Sequence, residues 1–348
     1  MIKLRPDGRS TCLVILAFAF VGLAQATPPA FPGAVGFGST ATGGRGGTVV
    51  YVTNLNDSGT GSFRSAVGTR GATVVFAVGG YVQALSPISF ASNLTIAGQT
   101  APGQGFGVFG AEMSFSGSSN CIVRHMRFRD GSLDPNWPGT SGTNSHTNCV
   151  NLYNTNGMMF DHCSLEFAAY NNVDSTSAVD VTFQNCIVAD PIKEQQFNFH
   201  LDTGPGTFIG NIFANAHNRS ILAKANLQYV NNTVYNYQAG FTTGDSSGAF
   251  YYDFINNDFI SGPATTNKND AYYQVDGNQH AYAVGNLVNG NSANSIGATA
   301  LSTYYFTSAN ATTPTTSLPI ASAATSVINN LDNAGALPRD QVDAQVIG

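Results

Sequence analysis

The chain has 348 residues, of which 10% are charged and 43% hydrophobic, with 38 glycines and a formal net charge of −6. That hydrophobic content excludes an intrinsically disordered chain, and the acidic balance excludes general nucleic-acid binding through the phosphate backbone. Little Glu, Lys and Leu beside much Gly, Asn, Thr, Val and Phe points to strands joined by tight turns. The length suits one large all-β domain.

In chain order, Lys3, Arg5 and Arg9 form a basic start, residues 12–23 an apolar run, and Ala24-Gln25-Ala26 a small-residue cleavage pattern. Residues 1–26 therefore read as a signal peptide, too short to span a bilayer comfortably, and residues 27–348 as a secreted or periplasmic mature domain. Losing Lys3, Arg5, Arg9 and Asp7 takes the net charge from −6 to −8. Cys121, Cys149, Cys163 and Cys186 remain. An even number in an oxidising compartment permits disulfides without assigning them, and the absence of C-x-x-C argues against zinc. "GGRGG" (43–47) lacks the Lys-Ser/Thr of a phosphate loop. "GSFRSAV" (61–67) reads as a short helix with Ser62 as its N-cap, placed to close one end of a stacked fold.

From residue 122 onward the chain repeats itself. "IVRHMRF", "FDHCSLEF", "FQNCIVAD", "IGNIFAN", "VNNTVYN", "INNDFI" and "VGNLVNG" each place His or Asn after an apolar residue and one variable residue. The aligned positions are His125, His162, Asn185, Asn211, Asn232, Asn257 and Asn286, at spacings of 21 to 37 residues. Such a period with short apolar strands predicts a β-solenoid, in which equivalent residues of stacked coils lie about 4.8 Å apart. The Asn residues are expected to form an amide ladder. Cys163 and Cys186 should lie side by side in consecutive coils, as two buried thiols or as a disulfide. The longest step contains the loop "RDGSLDPNWPGTSGTNSH" (129–146), the kind of segment that carries function on a rigid scaffold. After Asn291 the ladder ends, and the remainder is expected to wrap irregularly along the outside.

Chemistry must come from polar residues that break the repeat. Arg219 and Lys224 do so, as do Arg124, Arg127, Arg129 and Asp130 in one coil and Lys193, Glu194, His200 and Asp202 in another. Cations concentrated locally on an acidic protein suggest a polyanionic ligand, and uronate carboxylates match the fork of Arg. The competing reading is solvated charges or structural ion pairs such as Arg129–Asp130.

These segments resemble the extracellular pectate lyase family. The resemblance runs through "FPGAVGFGSTATGGRGG" (31–47), "VTNLNDSGTGSFRSAV" (52–67), "LTIAGQTAPGQG" (94–105), "IVRHMRFRDG" (122–131), "FDHCS" (160–164), "NIFANAHNR" (211–219), "VNNTVYNY" (230–237) and "AGALPRDQVDAQV" (334–346). It covers nearly the whole mature chain and is more specific for fold than for activity. It implies a single-stranded right-handed parallel β-helix, all-β, with an N-terminal cap helix and an irregular C-terminal wrap. It also implies action on an acidic polysaccharide such as pectate by β-elimination, and the solenoid form itself predicts a monomer.

The family's R-x-P-x-x-R motif corresponds to "RSILAK". The resemblance thus makes Arg219 the base, or the stabiliser of the charge that develops, and Lys224 a clamp on the substrate carboxylate. A guanidinium is an awkward base because it stays protonated at ordinary pH. Ile221 stands where the motif has Pro, and Lys224 where it has Arg. The family's Ca²⁺ ligands map onto Asn148, Tyr170 and Asp174, so one carboxylate remains; Asn148 and Asn171 add neutral oxygens. Few charged ligands imply weak Ca²⁺ binding or none. The H-x-K segment reads His200-Leu201-Asp202, so its substrate lysine is missing, and Lys193 is placed to compensate. Three readings follow: a polyuronate lyase, a Ca²⁺-independent enzyme nearer to pectin lyases, and a silent glycan-binding β-helix.

Overall fold

The computed structural model describes residues 28–133, 147–192, 196–243, 248–266, 271–273, 279–292, 305–306, 313 and 317–348. The segment 1–26 expected to be a signal peptide, most of the 129–146 loop and Lys193 lie outside the described residues. No helix among the described residues is long and apolar enough to cross a membrane.

The chain coils into a parallel β-solenoid of about eight turns. Among the described residues, one sheet has ten strands and another has sixteen. The larger sheet covers two faces because the long strands Asn171–Gln184, Phe197–Ile209 and Asn218–Val230 bend over an edge. Their first halves continue the short strands Val150–Asn151 and Phe241–Thr242, and their second halves continue Asn156–Asp161 and Phe250–Ile255.

In-register pairing stacks like on like. Phe160, Phe183, Phe208, Tyr229 and Phe254 form one inward column, all fully buried. The rings of Phe160 and Phe183 lie 4.5 Å apart at 6°. Leu165, Val188, Phe213, Val234 and Phe259 form the corresponding column of the smaller sheet. Each buried side chain of this size contributes about 1.5–3 kcal/mol. The N-terminal end is closed by helix α1, Phe63–Val67, whose Ser62 cap accepts from the Ser65 amide at 3.2 Å. Phe63 is fully buried there, against the rings of Phe76, Phe90, Phe106 and Phe128. The glycine-rich entry segment lies flat on the coils: a Cβ on Gly44 would stand 2.1 Å from the Ala72 carbonyl oxygen.

The amide ladder is present, with a corrected register. Asn211 donates to Asn232 at 2.9 Å, Asn232 to Asn257 at 3.1 Å and Asn257 to Asn286 at 2.8 Å, all buried. His125, His162 and Asn185 sit one position earlier than this column. They share it with Gly210, Asn231, Asn256 and Gly285, all with φ between 51° and 69°. Cys186 and Cys163 occupy the ladder slot itself: the Cys186 amide donates to Asn211 Oδ1 at 2.8 Å. Asn serves both columns, as an amide that bonds its neighbours and as a side chain tolerant of the left-handed region, so the single-letter pattern merged them. All four described cysteines are free thiols, and the Cys163 amide donates to Cys186 Sγ at 3.5 Å.

The C-terminal wrap packs back on the coils and, among the described residues, contains helices α2 (Ala323–Asn333) and α3 (Gln341–Ile347). It is held by ion pairs to Arg127 and Arg129, and Arg124 of the same segment pairs within the coils. Arg129 Nε lies 2.5 Å from Glu166, and its Nη atoms lie 2.7 Å from Asp340 and 3.1 Å from Asp343. Arg127 lies 2.8 Å from Asp343, and Arg124 lies 2.7 Å from Asp161. These are structural partners and not a cationic strip, and Arg129 pairs with Glu166 and the C-terminal acids in place of Asp130.

Candidate functional site

The first halves of the three long strands form one flank. In register along it run Asn151, Asp174, His200, Leu222 and Thr242. Pairing slips between Phe199↔Ser220 and His200↔Leu222, so Ile221 is an extra residue on its strand. Such a bulge re-aims neighbouring side chains. Arg219 stands just before it with φ 61°, a left-handed conformation that costs a non-glycine residue about 1–2 kcal/mol.

Partners from earlier coils hold the guanidinium there. Arg219 Nη1 donates to Asn171 Oδ1 at 3.1 Å and to the Tyr170 hydroxyl at 3.4 Å. The guanidinium carbon lies 3.8 Å from the centre of the Phe197 ring and 5.3 Å from that of Tyr170. The two rings meet edge to face at 5.5 Å. A guanidinium over aromatic faces gains about 0.5–2 kcal/mol.

Behind Arg219 lies a closed hydrogen-bond network. Asn148 Oδ1 accepts from the Asn171 amide at 3.3 Å and from its Nδ2 at 3.4 Å. Asn171 Nδ2 also donates to Asp174 Oδ2 at 3.2 Å. Asp174 Oδ1 accepts from the Thr176 amide at 3.1 Å and hydroxyl at 2.8 Å, and lies 3.4 Å from His200 Nδ1. Burial works against the Asp174 carboxylate, but His200 and Thr176 outweigh it and hold its pKa below the usual range. His200 Nε2 is buried and has no hydrogen-bond partner among the described residues.

The structure therefore gathers Arg219, His200, Asp174, Asn171 and Asn148 into one cluster. Lys224 lies farther along the same strand, in register with Asp202 and half-buried. Phe197 was not singled out from the sequence, and Tyr170 only as a missing carboxylate. Both are aromatic in a chain with 23 Phe and 14 Tyr, and neither stands at a repeat position. Among the described residues, the group of three or more His, Cys, Asp or Glu side chains close enough to share an ion is His125, Asp161 and His162, at another turn of the coils. There Asp161 is already engaged by Arg124, His162 and Gln184.

Fold and site together define a parallel β-helix protein whose flank gathers Arg219, His200 and Asp174, with Lys224 beside Asp202 farther along it. By sequence the chain belongs to the family of the probable pectate lyases C. It is 38% identical over 260 residues to the one from Aspergillus terreus, covering 73% of this chain and 60% of the relative. It is 35% identical over 276 residues to the one from Aspergillus oryzae, covering 78% and 62%. The chain thus spans about three-fifths of the length of these curated relatives. No sequence-family model matches it.

Solved structures share the fold at low identity. A thermostable pectate lyase superposes with TM-score 0.60 at 13% identity, covering 88% of this chain and 97% of that one. The cedar-pollen allergen Jun a 1 gives 0.57 at 16%, covering 87% and 93%. A Bacillus pectate lyase in complex with trigalacturonate gives 0.55 at 14%, covering 87% and 99%.

Proposed function

We propose that this chain is a secreted, monomeric polysaccharide lyase that cleaves a polyuronate such as pectate by β-elimination. The observation that carries the reading is Arg219, fixed by Asn171, Tyr170 and Phe197 in a left-handed backbone on the flank of a pectate-lyase β-helix. A trigalacturonate-bound neighbour of the same fold supports a uronate ligand.

In the reaction, the proton α to the uronate carboxylate is removed and its electron pair forms a C=C bond. The glycosidic oxygen leaves with the bonding electrons and is protonated. No water is added. Negative charge builds on the carboxylate as the proton departs, and a fixed guanidinium beside it stabilises that charge. Arg219 serves as base or as that charge stabiliser. Lys224, His200 and Lys193 are assigned to substrate binding. The retention of one carboxylate, Asp174, among the family's metal positions favours a second reading, a Ca²⁺-independent enzyme on methyl-esterified pectin.

The test is ultraviolet absorbance of the unsaturated uronide released from polygalacturonate and from methyl-esterified pectin, with Ca²⁺ and with chelator, beside Arg219→Ala. A rise on polygalacturonate lost in Arg219→Ala is expected. A rise confined to esterified pectin moves the substrate to the second reading. No rise on either substrate with folded protein sinks the lyase assignment.

A further inference from the structure

The oxygens that the family would offer to calcium are spent here. Asn148 Oδ1 accepts from Asn171, Asp174 accepts from Thr176 and Asn171, and Asn171 Oδ1 accepts from Arg219. Together the set carries one negative charge, whereas a useful Ca²⁺ site collects six to eight oxygens and several carboxylates. Tyr170 adds a ring and a hydroxyl where a third acidic ligand would stand. The donor set does not fit a calcium ion.

A cation is nevertheless present at this cluster, and it is part of the protein. The Arg219 guanidinium docks on Asn171 Oδ1 at 3.1 Å, the innermost oxygen of the set, since Asn171 is fully buried. Its Nη1 edge points inward, onto Asn171 and Tyr170. Among the described residues, Nε and Nη2 make no hydrogen bond. Those two nitrogens form the edge of a guanidinium that grips a carboxylate through parallel bonds.

The geometry points to Arg219 as the resident cation of this site: its Nη1 edge fills the role of calcium toward Asn171, and its Nε/Nη2 edge takes the substrate carboxylate. Tyr170, Asn171 and Phe197 are then positioning residues for Arg219, and ligand binding proceeds without divalent metal. The carboxylate half of this inference rests on the polyuronate reading; the metal half does not.

Two arms test it on the full mature chain. In the first, Tb³⁺ luminescence and Ca²⁺ calorimetry are recorded on wild type and on Arg219→Ala, with circular dichroism as the check on folding. Wild type should be silent at millimolar Ca²⁺. Arg219→Ala, which frees Asn171 Oδ1 and removes the repelling charge, should bind at least about tenfold more tightly. Wild-type binding as tight as that of the variant overturns the inference.

In the second arm, trigalacturonate affinity is measured with Ca²⁺ and with chelator. Equal affinity is expected. Phe197→Leu should weaken it by about threefold to tenfold while Phe197→Tyr restores it, because only the aromatic face is required. Affinity that collapses in chelator, or that Phe197→Leu leaves unchanged, overturns the assignment. If trigalacturonate fails to bind in any condition while the metal arm behaves as expected, the substrate reading falls and the resident cation stands.

Discussion

Arg219 and Asn171 are 48 residues apart in sequence and joined by a hydrogen bond of 3.1 Å. The bond fixes which edge of the guanidinium faces the flank, and Phe197 beneath it fixes the plane. Arg219→Ala should therefore lower turnover on polygalacturonate by about 10²–10³-fold, the cost of losing one preorganised charge stabiliser. Arg219→Lys should fall almost as far, because an ammonium has neither the fork nor the flat face. Near-wild-type absorbance rates for Arg219→Lys would show that charge alone suffices.

Lys224 and Asp202 are in register on adjacent strands. An anion beside a cation on this flank weakens attraction for a polyanion. Asp202→Lys removes the anion and adds the charge that the family has at that place. Its KM for polygalacturonate should fall about threefold to tenfold with kcat little changed, and Lys224→Ala should raise KM in the same proportion. Initial rates across substrate concentration decide both, and a change confined to kcat would assign these residues to chemistry instead of binding.

What the sequence disclosed and what it hid have different physical origins. Stacked coils force equivalent residues into contact, so the solenoid and the Asn ladder leave a periodic trace, while the cap helix showed through its local Ser62 N-cap. The ladder register slipped by one because "VNNTVYN" and "INNDFI" carry Asn in both columns. Arg219 stood out because it breaks the period. Phe197 and Tyr170 are 22 and 49 residues away from it, and aromatic rings are common in this chain, so neither carries a trace. Asp340 and Asp343 meet Arg127 and Arg129 across more than 200 residues. Nothing local to "RHMRFRDG" announces that Arg127 and Arg129 belong to the C-terminal wrap.

Asn232 tests the ladder. It accepts from Asn211, donates to Asn257 and donates to the Phe208 carbonyl at 2.9 Å, all buried. Asn232→Ala strands those partners away from water, at about 1–3 kcal/mol for each group left unpaired. A drop of about 3–5 kcal/mol in urea unfolding is expected. Asn236, half exposed at the rim, donates to Asn215 and accepts from the Ala264 amide, and Asn236→Gly, which suits its left-handed backbone at φ 55°, should cost less, about 1 kcal/mol, because water can replace those bonds. Equal costs at the two sites would remove the case for a buried ladder.

His125 gives stability a pH dependence of known sign. Burial, and then the neighbouring His162, lower its pKa from 6.5 to about 4. The folded state thus binds fewer protons at this site than the unfolded state between these values, so the contribution of His125 to stability is full above pH 6.5 and is lost progressively down to pH 4. Asp161, whose pKa lies below its usual 3.8 because His162 and Arg124 outweigh burial, extends the loss to lower pH. His125→Asn suits the left-handed backbone at φ 53° and removes the titration. Its melting temperature should vary less than that of wild type across this window. An unchanged slope would place the titrating group elsewhere.

The C-terminal clasp yields the sharpest stability prediction. Asp343 is fully buried and faces Arg127 at 2.8 Å and Arg129 at 3.1 Å. Arg127 is itself 1% exposed, so removing the shared carboxylate leaves buried positive charge with too few partners. Breaking a buried pair on one side costs about 3–5 kcal/mol. Asp343→Ala should therefore loosen helix α3, and limited proteolysis should cut the wrap around residues 334–340 well before the coils unfold. Asp340 shares Arg129 but is partly exposed, so Asp340→Ala should cost less. The solenoid core is anchored by its own stacks, so the loss should be local. A protease digest that shows the wrap released while the Phe160–Phe183 core stays protected is the expected result. Concerted loss of both would make the clasp part of the folding unit.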